Sequence, residues 1–124
     1  MSKKSSINID VTLGEDRIPE TIKWSATDSS AENGLNANAM MVSFWDAQEK
    51  TALRVDLWTK DMMVDEMADF YFQTFMGMAD SFNRSTGQKA LVHDIRAFAQ
   101  EFYKKFQEEQ RKSQNATGKF KPAF

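Results

Sequence analysis

Apolar and polar residues alternate with period two through the first half of the chain and recur at helical spacing through the second. Ile7, Ile9, Val11 and Leu13 are separated by Asn8, Asp10 and Thr12, the pattern of a half-buried strand. Gly14-Glu15-Asp16-Arg17 reads as a turn, after which Ile22, Trp24 and Ala26 alternate with Thr21, Lys23 and Ser25 as a second strand. Pro19 cannot donate to a ladder, so this strand is expected to start at an edge or outside the pairing. The pattern leaves the register of this first hairpin open. Residues Asp28 to Asn38 are polar, contain Gly34, and are expected to form a long surface loop.

The second hairpin can be placed in register from the sequence. Met40, Val42 and Phe44 share one face of a third strand, and Leu53, Val55 and Leu57 one face of a fourth. Pairing Phe44 with Leu53, Val42 with Val55 and Met40 with Leu57 sets every apolar side chain opposite another. A slip by one residue would turn one set to water. The turn is then Ala47 to Lys50, and the two inward triplets are expected in the core. The opposite face carries Met41, Ser43 and Trp45 against Arg54, Asp56 and Trp58, with Ser43 facing Arg54 and Met41 facing Asp56.

Asp61 is positioned to cap the helix that follows, and Asp65 and Glu66 suit its positive N-terminal end. Val64, Met67, Ala68, Tyr71, Phe75, Met78 and Phe82 form its apolar stripe, with Phe70, Phe72 and Met76 off centre. Gly87 is a residue of the type that ends a helix. A second helix is expected from about Lys89 to about Lys112, with Leu91, Ile95, Phe98, Phe102 and Phe106 on one stripe, widened by Ala99 and Tyr103. The short connection at Gly87 makes the helices antiparallel neighbours.

The expected fold is therefore α+β: a four-stranded antiparallel sheet of two hairpins, followed by two long antiparallel C-terminal helices packed on one face. Residues 1–112 form a single domain, and 113–124 a flexible tail. A helix of about 24 residues spans about 36 Å, against roughly 23 Å for a seven-residue strand. The overhang and the wide stripes point to a homo-oligomer, most simply a dimer.

Composition narrows the function more than it names it. The chain has 124 residues, 41% hydrophobic and 27% charged, with a net charge of -2 and no cysteine. Disulfides, thiolate metal sites and Cys nucleophiles are excluded. The acidic balance argues against nucleic-acid binding through phosphate contacts. No apolar run has signal-peptide or membrane-spanning character, so a cytoplasmic protein without direct membrane insertion is expected.

Candidate chemistry is sparse. His93 is the only histidine and lies off the apolar stripe beside Asp94, where a solvated or surface-paired role is the simpler account. Asp61, Asp65, Glu66, Asp69 and Asp80 lie on the first helix with no basic residue between Asp61 and Phe82; Asp65 and Asp69 share a helix face and could hold a cation, but a hard-ion site needs more converging oxygens. No phosphate-cradling glycine pattern, HExxH or GxSxG occurs. No catalytic residue, metal or cofactor is assigned, and no enzymatic activity is expected.

The outward face of the second hairpin stands apart. Met41, Trp45 and Trp58 are large apolar groups where a half-buried sheet should be polar, with Arg54 and Asp56 among them. These are residue types enriched at interfaces. The simpler account is that the tryptophans cover a sheet edge or pack under the loop 28–38. Seven methionines fall between Met40 and Met78. Met67 and Met78 are expected in the core, whereas Met62 and Met63, at the strand–helix junction, join the candidate contact surface. Phe120 and Phe124 in the tail could anchor a short docking motif, although an untied terminus explains them as simply.

These residues resemble the GldC family of gliding-motility proteins. The resemblance rests on Ile22-Lys-Trp-Ser-Ala, on Trp45-Asp, and above all on the run from Leu53 to Met62, LRVDLWTKDM, followed by Val64-Asp-Glu-Met. Met78-Ala-Asp-Ser-Phe and Thr86-Gly fit as well. It covers most of the chain from Ile7 to about Phe106; the tail departs from it, as does Met63, where relatives are expected to carry proline. The resemblance implies a non-enzymatic accessory protein whose partners are other gliding-motility or envelope-associated proteins. Two alternatives stay open. A sheet followed by two helices is the layout of SecB-type export chaperones. Aromatics on a sheet near Lys23 and Arg54 could stack single-stranded bases.

Overall fold

The structure, a computed structural model, describes residues 2–116. The chain falls into two compact units that divide between Met62 and Met63.

The first unit is all β: β1 (Ile7–Leu13), β2 (Pro19–Ala26), β3 (Leu35–Ala37), β4 (Ala39–Asp46) and β5 (Thr51–Trp58). The expected single four-stranded sheet is replaced by two antiparallel sheets, one of order β1-β2-β3 and one of β4-β5 alone. The cause lies in the polar stretch read as a loop. Its last residues form β3 and occupy the second edge of β2, with Ile22 opposite Ala37, Lys23 opposite Asn36 and Trp24 opposite Leu35. The rest is a tight, hydrogen-bonded turn. The Ser29 hydroxyl donates to the Ala26 carbonyl at 2.7 Å and accepts the Ala31 N–H at 3.0 Å. Ala31 is buried, and Gly34 takes a φ of 93° that favours glycine. Only Asn38 separates β3 from β4, so the chain leaves one sheet and enters the other within one residue.

In the first sheet Ile7, Ile9 and Val11 face Ala26, Trp24 and Ile22, as the alternation requires. The register shifts between Thr12 and Leu13, and Pro19 sits at that irregularity, where its missing donor costs no regular rung.

The second unit is a pair of helices, α1 (Val64–Thr86) and α2 (Lys89–Ala116). Asp61 does not cap α1. The N-cap is Met63, in extended conformation and without a side-chain cap, and Met62 turns back to donate to the Thr59 carbonyl at 3.2 Å. Asp65 and Glu66 do occupy the first turn. Gly87 ends α1 with a φ of 66°, its N–H donating to the Asn83 carbonyl. Helix α2 runs past Lys112 to Ala116; the remainder of the expected tail, with Phe120 and Phe124, lies outside the described residues.

The helices run antiparallel, because later residues of α1 meet earlier residues of α2. Phe72 stacks on Tyr103 with centroids 4.8 Å apart, Phe75 meets Phe102 and Phe98 edge-on, and Asp80 pairs with Arg96 at 2.7 Å. The buried residues of the pair are Ala68, Ala79, Val92 and Ala99. The seam is therefore rotated from the expected stripe, and Tyr71, Met78, Leu91 and Phe98 stay exposed. Small side chains let two helices approach closely, so alanines take the centre and bulky residues move to the flanks.

Ala79→Leu or Ala99→Leu should overpack this seam and cost about 1–3 kcal/mol of stability. Gly87→Ala, with open space for a Cβ, should cost about 1 kcal/mol through its left-handed backbone alone. Urea denaturation monitored by helical circular dichroism measures all three.

Candidate functional site

The candidate site is the hairpin β4–β5. Its register is the one the sequence dictates: Phe44 opposite Leu53, Val42 opposite Val55, Met40 opposite Leu57, Ser43 opposite Arg54 and Met41 opposite Asp56. Asp46 shapes the turn from below. Its carboxylate accepts the Glu49 N–H at 2.6 Å, its carbonyl accepts the Lys50 N–H at 3.0 Å, and Lys50 adopts a φ of 57°. At the other end the Thr59 N–H donates to the Asn38 carbonyl at 2.8 Å, one rung beyond the strands.

The face expected in the core is not buried. Phe44 is 64% exposed, Leu53 57% and Val55 50%. Two strands are too few to cover their own face, and β3 has taken the place at β2 that would have joined the sheets. On the other face Trp45 is 66% exposed. Arg54 Nε lies 3.1 Å from Asp56 Oδ2 on the same strand, and both side chains are largely in solvent. The far end of the hairpin thus presents apolar groups on both sides, with one exposed ion pair between them.

The remaining candidates divide. Met41 is half-buried, and Trp58 is half-buried beside a groove formed with Arg17, Ile18 and Pro19. The Trp58 indole nitrogen is buried without a hydrogen-bond partner, so this tryptophan packs against the unit more than it offers itself. Met62 is 5% exposed and offers no surface, whereas Met63 is half-buried at the N-cap of α1. The methionine expectations are thereby exchanged: Met62 is buried and Met78 exposed. Sequence reasoning missed Phe44, Leu53 and Val55 as surface groups. No signal within the hairpin would have found them, since large apolar residues on both faces of β4 and β5 read as strands covered on both sides.

The polar candidates are engaged with one another. His93 is exposed, its Nδ1 3.9 Å from an Asp94 oxygen. Asp69 accepts a hydrogen bond from the Tyr103 hydroxyl, which with desolvation and the nearby carboxylates holds that phenol above its ordinary value. Asp65 accepts the Glu66 N–H at 2.9 Å. Among the described residues no three His, Asp or Glu side chains gather as a metal site would require. No described helix is long and apolar enough to cross a membrane. Lys23 lies on β2 with its stem against Gly34, in a different sheet from Arg54.

The family model for gliding motility-associated GldC-like proteins matches residues 19–108, from the start of β2 well into α2. The chain belongs to the GldC-like family. The match takes in β2 to β5, α1 and most of α2 but not β1, and it describes a motility-associated family rather than a known class of enzyme. No curated protein and no solved structure shows significant similarity to this GldC-like chain.

In this GldC-like protein one ion pair ties the β1–β2 turn to the end of β5, with Lys60 Nζ 2.6 Å from Asp16 Oδ2. The hydrogen bond from Lys60, aided by the Ile18 N–H, holds the Asp16 carboxyl below its ordinary 3.8, and the same bond holds Lys60 above 10.5. A depressed carboxyl contributes stability that is full above its unfolded pKa and lost as pH falls through the folded one; a raised amine contributes stability that is full below its unfolded pKa and lost as pH rises through the folded one. The pair should therefore stabilise the protein between these limits, with losses below 3.8 and above 10.5. Lys60→Met should reduce both losses in urea midpoints measured across pH, and an unchanged profile would count against the clamp.

Proposed function

We propose that the protein is a non-enzymatic accessory adaptor of the gliding machinery that acts in the cytoplasm by binding other proteins through hairpin β4–β5. The working unit is a homo-oligomer, most simply a dimer, and the partners are other gliding-motility or envelope-associated proteins. The observation that carries this reading is the exposure of Phe44, Trp45, Leu53 and Val55 at one end of a two-stranded sheet. A hairpin of this size gains little from its own fold by exposing Phe44, Leu53 and Val55 on one face and Trp45 on the other, and exposed apolar groups gathered on one element support a binding role. The run LRVDLWTKDM, on which the family resemblance chiefly rests, forms one of its two strands and the residues just after it.

A second reading is a chaperone-like holder. What favours it is the further set of exposed apolar groups on the helical unit, Tyr71, Met78, Leu91 and Phe98, since extended clients need broad rather than focused apolar surface.

Trp45→Ala and Phe44→Ala should abolish capture of gliding-motility components from the native cell, identified by mass spectrometry, while circular dichroism and thermal midpoint stay near the parent's. Undiminished capture by the double variant would remove the hairpin as the binding surface. Suppression of aggregation of an unfolded client, lost in the same variant, would favour the holder.

A further inference from the structure

The free edge of β5 is self-complementary in one register, and we infer that it pairs antiparallel with β5 of a second copy, about a two-fold axis at Val55. This deepens the reading of the protein as a dimer and rests on it.

The backbone fixes which residues can take part. The Thr59 N–H bonds the Asn38 carbonyl, and bonded and non-bonded pairs alternate along an antiparallel ladder. Leu57, Val55, Leu53 and Thr51 therefore spend their backbone groups on β4. Ala52, Arg54, Asp56 and Trp58 turn theirs to the opposite edge, where β5 has no neighbouring strand. That edge carries no Pro or Lys, and its two charges, Arg54 and Asp56, are of opposite sign, so they repel a second strand only in registers that set like against like.

A second β5 docked there must oppose these same residues. Three registers are centred on the strand. A two-fold axis at Arg54 sets Arg54 against Arg54, and one at Asp56 sets Asp56 against Asp56. The axis at Val55 sets Arg54 of each copy against Asp56 of the other, Val55 against Val55, and Leu53 against Leu57. Like charges directly opposite destabilise a sheet and opposite charges stabilise it, so the central register is selected. It also places small Ala52 opposite Trp58, at the end of β5 flanked by Arg17, Ile18 and Pro19. The result is a four-stranded sheet β4-β5-β5-β4 with an apolar face twice as wide and no unpaired β5 edge.

The absence of cysteine makes the register directly testable in the full chain. Val55 is half exposed, so Val55→Cys leaves the fold intact, and a non-bonded pair on the axis has Cα atoms about 4.5 Å apart, within disulfide reach. Mild oxidation should give a covalent dimer with Val55→Cys and none with Ser43→Cys on the neighbouring strand. By sedimentation, Arg54→Asp and Asp56→Arg should each weaken self-association about tenfold, since each sets like charges opposite. An equal mixture of the two should restore it, because each copy then meets its opposite. The Arg54–Asp56 contact within one strand cannot produce that rescue.

A dimer with no Cys cross-link and no rescue on mixing overturns the β5 register while leaving dimerisation standing. A monomer at all concentrations overturns dimerisation and this inference together, and leaves the adaptor reading to the Trp45 capture experiment. A monomer whose β5 amides gain exchange protection only with another protein bound assigns the edge to a foreign strand and overturns the second copy.

Discussion

Everything distinctive about the hairpin follows from the period of two in its side chains. Once Phe44 opposes Leu53, the whole ladder from Ala39 to Trp58 is set, together with the face each residue takes and the direction in which its backbone groups point. The turn at 47–50 and the rung from Thr59 to Asn38 close the ladder at either end. The faces that the apolar groups share and the alternation of open backbone positions along β5 are consequences of that single register.

The fold was legible in the sequence where pattern and packing coincide. Strand periodicity located β1, β2, β4 and β5, and Gly87 located the break between the helices, because those signals are local. What the sequence concealed depended on tertiary choice. Three residues of β3, Leu35-Asn-Ala, are too few to show a period, yet by taking the second edge of β2 they divide one expected sheet into two. The helical seam was displaced for a related reason. Hydrophobicity ranks Leu91 and Phe98 above Ala99, but closest approach belongs to the smaller side chain. Asp61 met the chemical criterion for a cap and failed the geometric one, since the chain turns at Met62 before the helix begins.

The candidate site was legible only in part. Trp45, Arg54 and Asp56 were singled out as candidates by being large, apolar or charged on the outward face, and of these Trp45 is exposed and Arg54 pairs with Asp56 in solvent. Phe44, Leu53 and Val55 were assigned to the core because an apolar strand face ordinarily has a cover. Their exposure depends on how many strands join the sheet, which no residue within the hairpin encodes.

Asp46 carries a consequence for the order of events. By holding the Glu49 and Lys50 amides it closes a four-residue loop, and every rung of β4–β5 joins residues close in sequence. Hairpins of this kind form in about 1–10 μs, far ahead of any encounter between proteins. The exposed face of the hairpin is thus ordered by its own local contacts, and association through it would not have to supply the entropy of ordering it.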